Sequence, residues 1–435
     1  MNVLIILPHQ LYEDKYFKKI VKPDKIIIWE HPHYYTQYKY NKKKLMLHRA
    51  SMQYYNDYLK NKGYTVKYCE YKDNPNVKKS DNTFMFDPID NLKNKIKNII
   101  ESPNFIMTKN HYEEYRKKTD KFMFNNFYMW CKDKIDIIPK VKSKDKFNRQ
   151  RMPKKIDVPQ LPKNKSDEEY IKEAAKYVDK NFKKNYGNTD NFIYPISHES
   201  AKRWQMDFFK KKLEKFGPYQ DFIYNKEPYL YHSCLSSSIN IGLLNPTELL
   251  EYLKPRKSEY NINSYEGYIR QLFWREYQRY TYIYCDFNVN YFGNRKKLTK
   301  KWYTGDLKID PVDDYIKIGF DTGYLHHIVR LMLIGNFMNL SGISPMEGFK
   351  WFMEFSVDSY EWVMKQNVLD MVFFVTGGKT MRKPYASSSN YILKMSTYKK
   401  GEWSEKWNEL YQNFMKKNKD KLWKYRYHFP GLKKL

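Results

Sequence analysis

Along this chain the hydrophobic pattern changes period about a third of the way from its start. In the first part short, continuous apolar runs alternate with longer stretches in which apolar residues recur every three to four positions. Residues 2–7 (NVLIIL) and 25–29 (KIIIW) are such runs, the pattern of strands buried on both faces. Residues 64–68 (YTVKY), 83–86 and 105–107 are predicted as further strands. Between them, residues 44–59 place Leu45, Leu47, Met52, Tyr55 and Leu59 along one helical face. Strands alternating with helices predict an α/β, Rossmann-like domain with a parallel sheet over residues 1–135. Such sheets take ligands beyond the carboxyl ends of their strands. Pro8-His9-Gln10 and Glu30-His31 fall there. No G-x-G-x-x-G follows a strand, so a dinucleotide is not expected in this domain.

Residues 139–166 interrupt the pattern with ten Lys or Arg, two Asp and four Pro. Proline blocks regular structure and like charges repel, which predicts an extended linker within residues 136–190. It is either a solvated tether or a phosphate contact through Arg149, Arg151 and Lys154. From about Asp167 the period is helical, and residues 191–435 are expected to form an all-α domain. A helix over 199–216 is expected to end at Gly217-Pro218. Residues 231–246 (YHSCLSSSINIGLLNP) gather small hydroxyls at a helix start, where they serve as caps or as a phosphate cradle. Residues 268–280 (YIRQLFWREYQRY) put Arg270, Arg275, Arg279 and Trp274 on one helix, as a stacking and phosphate surface or as a helix edge.

The densest stretch is 323–371. Leu325, Ile328, Leu331, Met332, Ile334 and Phe337 are at helical spacing, which places His326, His327 and Arg330 on a mostly buried helix. A second helix, 345–357, carries Trp351, Phe352 and Phe355 on its apolar side. A buried guanidinium is costly without a partner, and Asp358 is the nearest candidate. The stretch is either a structural ion pair with packed histidines or a pocket for a planar, polar cofactor.

Charge and composition narrow this. Seventy-nine Lys and Arg against forty-nine Asp and Glu give a net charge of +30, which points to a polyanion, nucleic acid before membrane. Aromatic residues make up 18% of the chain, enough for stacking surfaces as well as cores. Cys69, Cys131, Cys234 and Cys285 are scattered without a C-x-x-C, so neither a zinc site nor a disulfide framework is indicated. The N-terminus has no cationic leader, and no apolar run approaches the ~20 residues that span a bilayer. A soluble, intracellular monomer is expected.

Taken in order, ILPHQL, KKKLMLHRASM, FNRQRMP, RWQMDFFKKKLEKFGPYQDF, YHSCLSSSINIGLLNP, YIRQLFWREY, GYLHHIVRLM, SVDSYEWV and KPYASSSNYILKMSTYKKG resemble the photolyase/cryptochrome superfamily. Within it they resemble the prokaryotic deoxyribodipyrimidine-photolyase-related branch, which includes iron–sulfur (6-4) photolyases. The resemblance spans almost the whole chain. It implies an α/β domain that binds a lumazine-type or other antenna chromophore and a helical domain holding FAD. His232, Ser233, Leu235, Ser236, Gln271, Arg275, Arg330 and Asp358 would hold the FAD, with Met364 opposite flavin N5, where a thioether cannot match an amide or carboxyl partner. Family relay positions fall on Trp351, Phe352, Tyr303 and Tyr360, beside Trp302. Phe352 is harder to oxidise than Trp or Tyr, so rerouting through Trp302 or Trp362 is expected. The cluster-ligating cysteines align with Pro311, Lys399, Glu402 and Glu405, so no iron–sulfur cluster is expected. Lys399 is expected to pair with Glu402 or Glu405.

The implied activity is light-driven repair of UV-damaged DNA. Trp274 and Tyr385 would line the pocket of the flipped lesion, and Arg149, Arg151, Lys154, Arg270 and Arg279 would meet the DNA. Reversing a (6-4) photoproduct needs a proton donor, and His327, oriented by His326, suits that role. The alternatives are a cryptochrome-like photoreceptor, a cyclobutane-dimer photolyase, or a nucleic-acid-binding protein without flavin. The chain ends 24 residues after Tyr411, which favours repair over signalling.

Overall fold

The computed structural model describes every residue except 93–95, 137–142, 152–155, 164 and 435. One parallel sheet has the order β3–β2–β1–β4–β5. Its strands are β1 (Asn2–Ile6), β2 (Lys25–Trp29), β3 (Val66–Cys69), β4 (Asn82–Phe86) and β5 (Asn98–Ile100). Central β1 pairs Leu4 with Ile26 on one side and Phe84 on the other. Leu4, Ile6, Ile26 and Ile28 are fully buried, which is why these runs carry no polar face. The chain order reverses beside β1, so the switch point lies between β1 and β4.

The last strand is not at 105–107. Backbone N–H groups of Ile106 and Met107 donate to the buried Glu276 carboxylate at 3.1 and 3.0 Å, and the Tyr112 hydroxyl adds a third bond at 2.9 Å. That carboxylate takes the donors a ladder would use, and half-buried Asn98–Ile100 forms the edge instead.

The second part is helical around Ile262–Tyr284, a 23-residue helix buried on nearly every side. The stretch 268–280 is therefore a core helix, not an edge or a phosphate surface. The expected 199–216 helix is two: His198–Lys211 and Leu213–Tyr219, parting at Lys212 rather than at Gly217-Pro218. Pro218 survives inside the second because the Glu214 carbonyl, which its missing N–H would have served, accepts the Ser264 hydroxyl at 2.8 Å. Gly217 sits so close to the long helix that a Cβ there would stand 2.7 Å from Ser264 Cα.

Packing crosses the boundaries suggested at 135 and 190. Helices Lys109–Lys118 and Phe124–Lys134 lie on the long helix, with Phe127 and Tyr280 ring centroids 5.3 Å apart and Phe124 and Trp274 4.4 Å apart. Helix Glu168–Asn181 packs the other way, on Lys42–Asn61. There Arg49 Nη2 meets Glu173 at 2.7 Å, and the Tyr177 hydroxyl donates to Glu30 at 2.8 Å. Among the described residues no helix is long and apolar enough to cross a membrane.

Candidate functional site

The site begins where helix Asp310–Thr322 ends. Gly323 caps it in the left-handed region at φ +70°, and a Cβ there would meet Val357 Cγ1 at 2.6 Å. The chain then runs extended through Tyr324, Leu325 and His326 before turning at His327. His326 thus precedes the helix expected to carry it. Val329–Gly335 and Lys365–Val372 are both π-helical, a form that widens the turn and collects at functional sites. The two π segments pack together at Gly335, where a Cβ would lie 2.5 Å from Val372 Cγ2.

The π turn points Arg330 at Asp358. Nη1 donates to Oδ1 at 3.0 Å and Nη2 to Oδ2 at 3.2 Å, while Nε donates to the Leu325 carbonyl at 2.5 Å. Ser236 Oγ donates to Oδ2 at 2.7 Å, Ser356 Oγ donates to Oδ1, and Asn240 Nδ2 donates to the Asp358 carbonyl at 3.0 Å. Burial alone would raise the Asp358 carboxyl, but Arg330 and the two hydroxyls hold it below its usual value. The serine cluster and the 323–371 stretch are thereby one site. Ser236–Asn240 is a single short helix preceded by Leu235, and Ser233 Oγ accepts from the Leu235 N–H at 3.4 Å.

Around this pair lie buried polar atoms without a partner among the described residues: His232 Nε2, both ring nitrogens of His326, Ser237 Oγ, Ser238 Oγ and Lys212 Nζ. Lys212, at the break between its two helices, is lowered by burial and sits beside Cys234. Burial likewise drives His232 and His326 well below the usual histidine value. Orphaned buried donors and acceptors need an occupant that satisfies them. A cofactor with phosphates and a polar ring edge fits this donor set. Arg275 borders it, with Nε on Asn240 Oδ1 at 3.0 Å and Nη2 unpartnered, and burial lowers it to about 10. Gln271 is half-buried on the same helix, and Met364 is wholly buried.

His327 faces outward, with its side chain 43% exposed and Nε2 3.2 Å from Asp221 Oδ1. Its ring is edge-on to His326, centroids 6.1 Å apart, and no hydrogen bond joins them. Asp221, not His326, orients it. Sequence reading missed Asp221, which lies 106 positions away. Arg149 Nε approaches the other Asp221 oxygen at 3.5 Å, and half-buried Tyr385 senses Arg149, Asp145, Asp221 and Arg382. These residues form a cationic mouth, to which Arg382 and Lys383 add charge. Trp274 is half-buried, with its N–H on Asn367 Oδ1 at 3.2 Å.

Two arginines expected at DNA are not available to it. Arg279 is fully buried beneath Phe105, near Asp87, and Arg270 is held by Asp145 at 2.5 Å and by Glu266. Arg149 and Arg151 are exposed. Lys154 lies outside the described residues.

The relay positions separate into groups. Trp351 packs on Phe352 (5.2 Å) and Phe320 (5.5 Å). Phe320 leads to Tyr303 (5.7 Å), which stacks on Tyr186 at 4.5 Å. Tyr303 donates its hydroxyl to Glu354 at 2.8 Å. The Trp302 carbonyl accepts from the Trp351 indole at 2.7 Å, and the Trp302 ring leads through Phe337 to Trp407. Tyr360 instead joins His9, Tyr34 and His48, its hydroxyl 3.0 Å from His48 Nε2. Trp362 packs on Phe105 at 5.2 Å, under Arg275.

That Tyr360 group fills the switch-point crevice. Gln10 Nε2 donates to the Phe86 carbonyl at 2.8 Å, and His9 Nε2 lies 3.0 Å from the Pro88 carbonyl, so both bridge β1 to the end of β4. His9, Tyr34 and Tyr360 are buried there, and Glu30 is consumed by Arg49, Tyr68 and Tyr177. His9, Gln10 and Glu30, expected beside a ligand at the strand ends, are thus engaged by the fold itself. Glu402 pairs with Lys406 at 3.6 Å, not with Lys399.

A family model described as deoxyribodipyrimidine photo-lyase-related protein matches residues 4–194. Over those residues, a little under half of the chain, the protein is similar to this family. A photolyase-related likeness also covers later residues. The chain is 36% identical over 272 residues to a (6-4) photolyase of Agrobacterium fabrum, spanning 58% of this chain and about half, 53%, of that relative. It is 56% identical over 92 residues to the uncharacterized protein R855 of Acanthamoeba polyphaga mimivirus, covering 21% of this chain and 75% of that one. The fold matches a bacterial class III photolyase from Agrobacterium tumefaciens with a TM-score of 0.60 at 15% identity, over 96% of this chain and 86% of that one. The photolyase-related architecture, a parallel sheet followed by a helical body, is thus common to both.

Proposed function

We propose that this protein is a light-driven DNA repair enzyme that holds FAD in its helical body and acts on (6-4) photoproducts. One observation carries the reading: Arg330, Asp358 and Ser236 form a satisfied ionic core surrounded by buried polar atoms that no described residue satisfies. FAD, when bound, supplies light absorption and a transferable electron. The chain supplies the rest. Ser237, Ser238 and Lys212 offer donors to phosphate oxygens. Arg330, held in place by Asp358, offers its remaining N–H donors to a polar ring edge, and Arg275 and Gln271 border it. Met364 contributes only a weak thioether acceptor.

A lesion flipped from the duplex would enter by the mouth of Arg149, Tyr385 and Trp274, where unstacking costs least for a damaged base. Arg149, Arg151 and Arg382 meet the phosphates around it. Returning a hydroxyl or amino group to its original base requires a proton. With the His327 Nε2–H given to Asp221, the proton available to a lesion is the one on Nδ1.

This chemistry needs no metal cluster, and we assign none. Pro311, Lys399, Glu402 and Glu405 offer no thiolate. Beside them Asp314 accepts from the Tyr398 hydroxyl at 2.7 Å and from Asn225 at 3.0 Å, tying helix Asp310–Thr322 to the segment that follows Met395.

The test is illumination of purified protein with an oligonucleotide bearing one (6-4) photoproduct. Bound flavin and light-dependent return of the intact bases are expected. A protein that retains no flavin, or one that restores only cyclobutane dimers, overturns the reading.

A further inference from the structure

Three imidazoles meet at the mouth of the site in a way that cofactor binding does not require. Each of His232, His326 and His327 offers one ring nitrogen, and these three atoms lie within 4.8 Å of one another. His232 and His326 stack at 4.6 Å with their planes 16° apart, and His327 stands edge-on to both, at 5.8 and 6.1 Å. Among the described residues His232 Nε2 and both nitrogens of His326 are buried with no partner, an arrangement that costs free energy unless a ligand relieves it. His327 differs in having its Nε2 on the Asp221 carboxylate, which leaves Nδ1 as its other possible ligand atom.

We propose that His232, His326 and His327 bind one divalent transition-metal ion of borderline softness, of the Zn²⁺ or Co²⁺ class. Imidazole suits such ions, and three nitrogen ligands leave a fourth, open position. Metal–nitrogen distances near ~2.0–2.1 Å require the rings to close by roughly an ångström or two from their present separations. Asp221 completes the pattern in which a ligating histidine gives its other N–H to a carboxylate. The neighbouring guanidinium does not forbid the site, because Arg330 is neutralised by Asp358. The half-exposed edge of His327 is the route of entry.

The ion and the proposed proton on His327 Nδ1 compete for one atom, so metal occupancy blocks repair. Metal binding rests on the three imidazoles alone; the block on repair rests on the proposed function. The test titrates the protein as purified with Co²⁺, read by its d–d absorption, and with Zn²⁺ by competition. One high-affinity ion per chain is expected. His326→Ala and the bulkier His326→Gln, each checked for a native melting transition, should lose it. Asp221→Asn should weaken it about 10–100-fold. Absence of Co²⁺ binding, or binding unchanged in both His326 variants, overturns the site. In the repair assay Zn²⁺ should inhibit with the affinity of the titration and a chelator should restore activity. Full repair at saturating Zn²⁺ would show that His327 does not serve both purposes, while leaving the site itself to the Co²⁺ result.

Discussion

Arg330 and Asp358, 28 positions apart, meet fork to fork at 3.0 and 3.2 Å, and the serine cluster enters the same carboxylate through Ser236. The pair is mostly buried, with side chains 15% and 10% exposed. Breaking such a pair leaves an uncompensated charge, which costs about 3–5 kcal/mol. Arg330→Ala should therefore lower the melting temperature and abolish flavin retention together. Asp358→Asn, which preserves shape, should lose flavin with a smaller thermal penalty. Flavin absorbance after gel filtration and a thermal melt check both; flavin retained at wild-type stoichiometry in both variants would refute the assignment.

His327 and Asp221 predict a different signature. His327→Asn should keep FAD, because neither residue belongs to the Arg330–Asp358 core, while slowing (6-4) repair by about a hundredfold or more, the usual worth of a positioned general acid. Asp221→Asn should slow repair less and leave DNA affinity nearly unchanged. Single-turnover repair kinetics separate these from binding defects.

The ring string Trp351–Phe320–Tyr303–Tyr186 is one path for photoreduction to reach solvent. Oxidising a tyrosine releases its phenolic proton, and Glu354 Oε2 stands 2.8 Å from the Tyr303 hydroxyl to receive it. Tyr303→Phe should slow photoreduction at least about tenfold, equivalent to ~1.4 kcal/mol of barrier. Trp407→Phe, on the Trp302 branch, should change it little. Equal effects from both, measured by transient absorption, would show that the branch through Trp302 carries the current.

DNA affinity should fall linearly with the logarithm of salt concentration. Replacing Arg149 and Arg151 together with Ala should reduce the slope by up to about 1.8, at about 0.9 per phosphate contact. Arg279→Ala should act on folding instead, since Arg279 is fully buried. A titration in which the double variant keeps the full slope excludes the linker from the interface.

Acid should unfold the protein earlier than its carboxylates alone would dictate. Burial holds His9 at about 3 and His198 at about 4. Both folded values lie below the unfolded value near 6.5, so the folded state resists protonation. No stability is lost above pH ~6.5. Below it each histidine removes ~1.4 kcal/mol per pH unit until its folded value is reached. Urea melts between pH 7.5 and 5 should show this slope, and His9→Gln should reduce it by one proton's worth.

Residues 2–7 and 25–29 are strands wherever the chain is placed, because their apolar residues leave no face that water could cover. The helical second part is legible for a similar reason, through its period. Even the Arg330–Asp358 pair could be anticipated, since a guanidinium among Leu331, Met332 and Ile334 has to find a carboxylate nearby. What the chain alone did not disclose is which distant group answers each local demand. Residues 105–107 have the composition of a strand, but Glu276 claims their N–H groups. Arg279 looks like a DNA contact until the long helix is buried around it. Asp221 carries no mark in its own neighbourhood that destines it for His327, and Lys212 looks like any other lysine until its Nζ is enclosed. Periodicity reports the burial of a face, a property shared by neighbouring residues and so written locally. The partner of a buried polar atom is chosen by contacts between segments far apart in the chain, and only the packed tertiary structure brings them together.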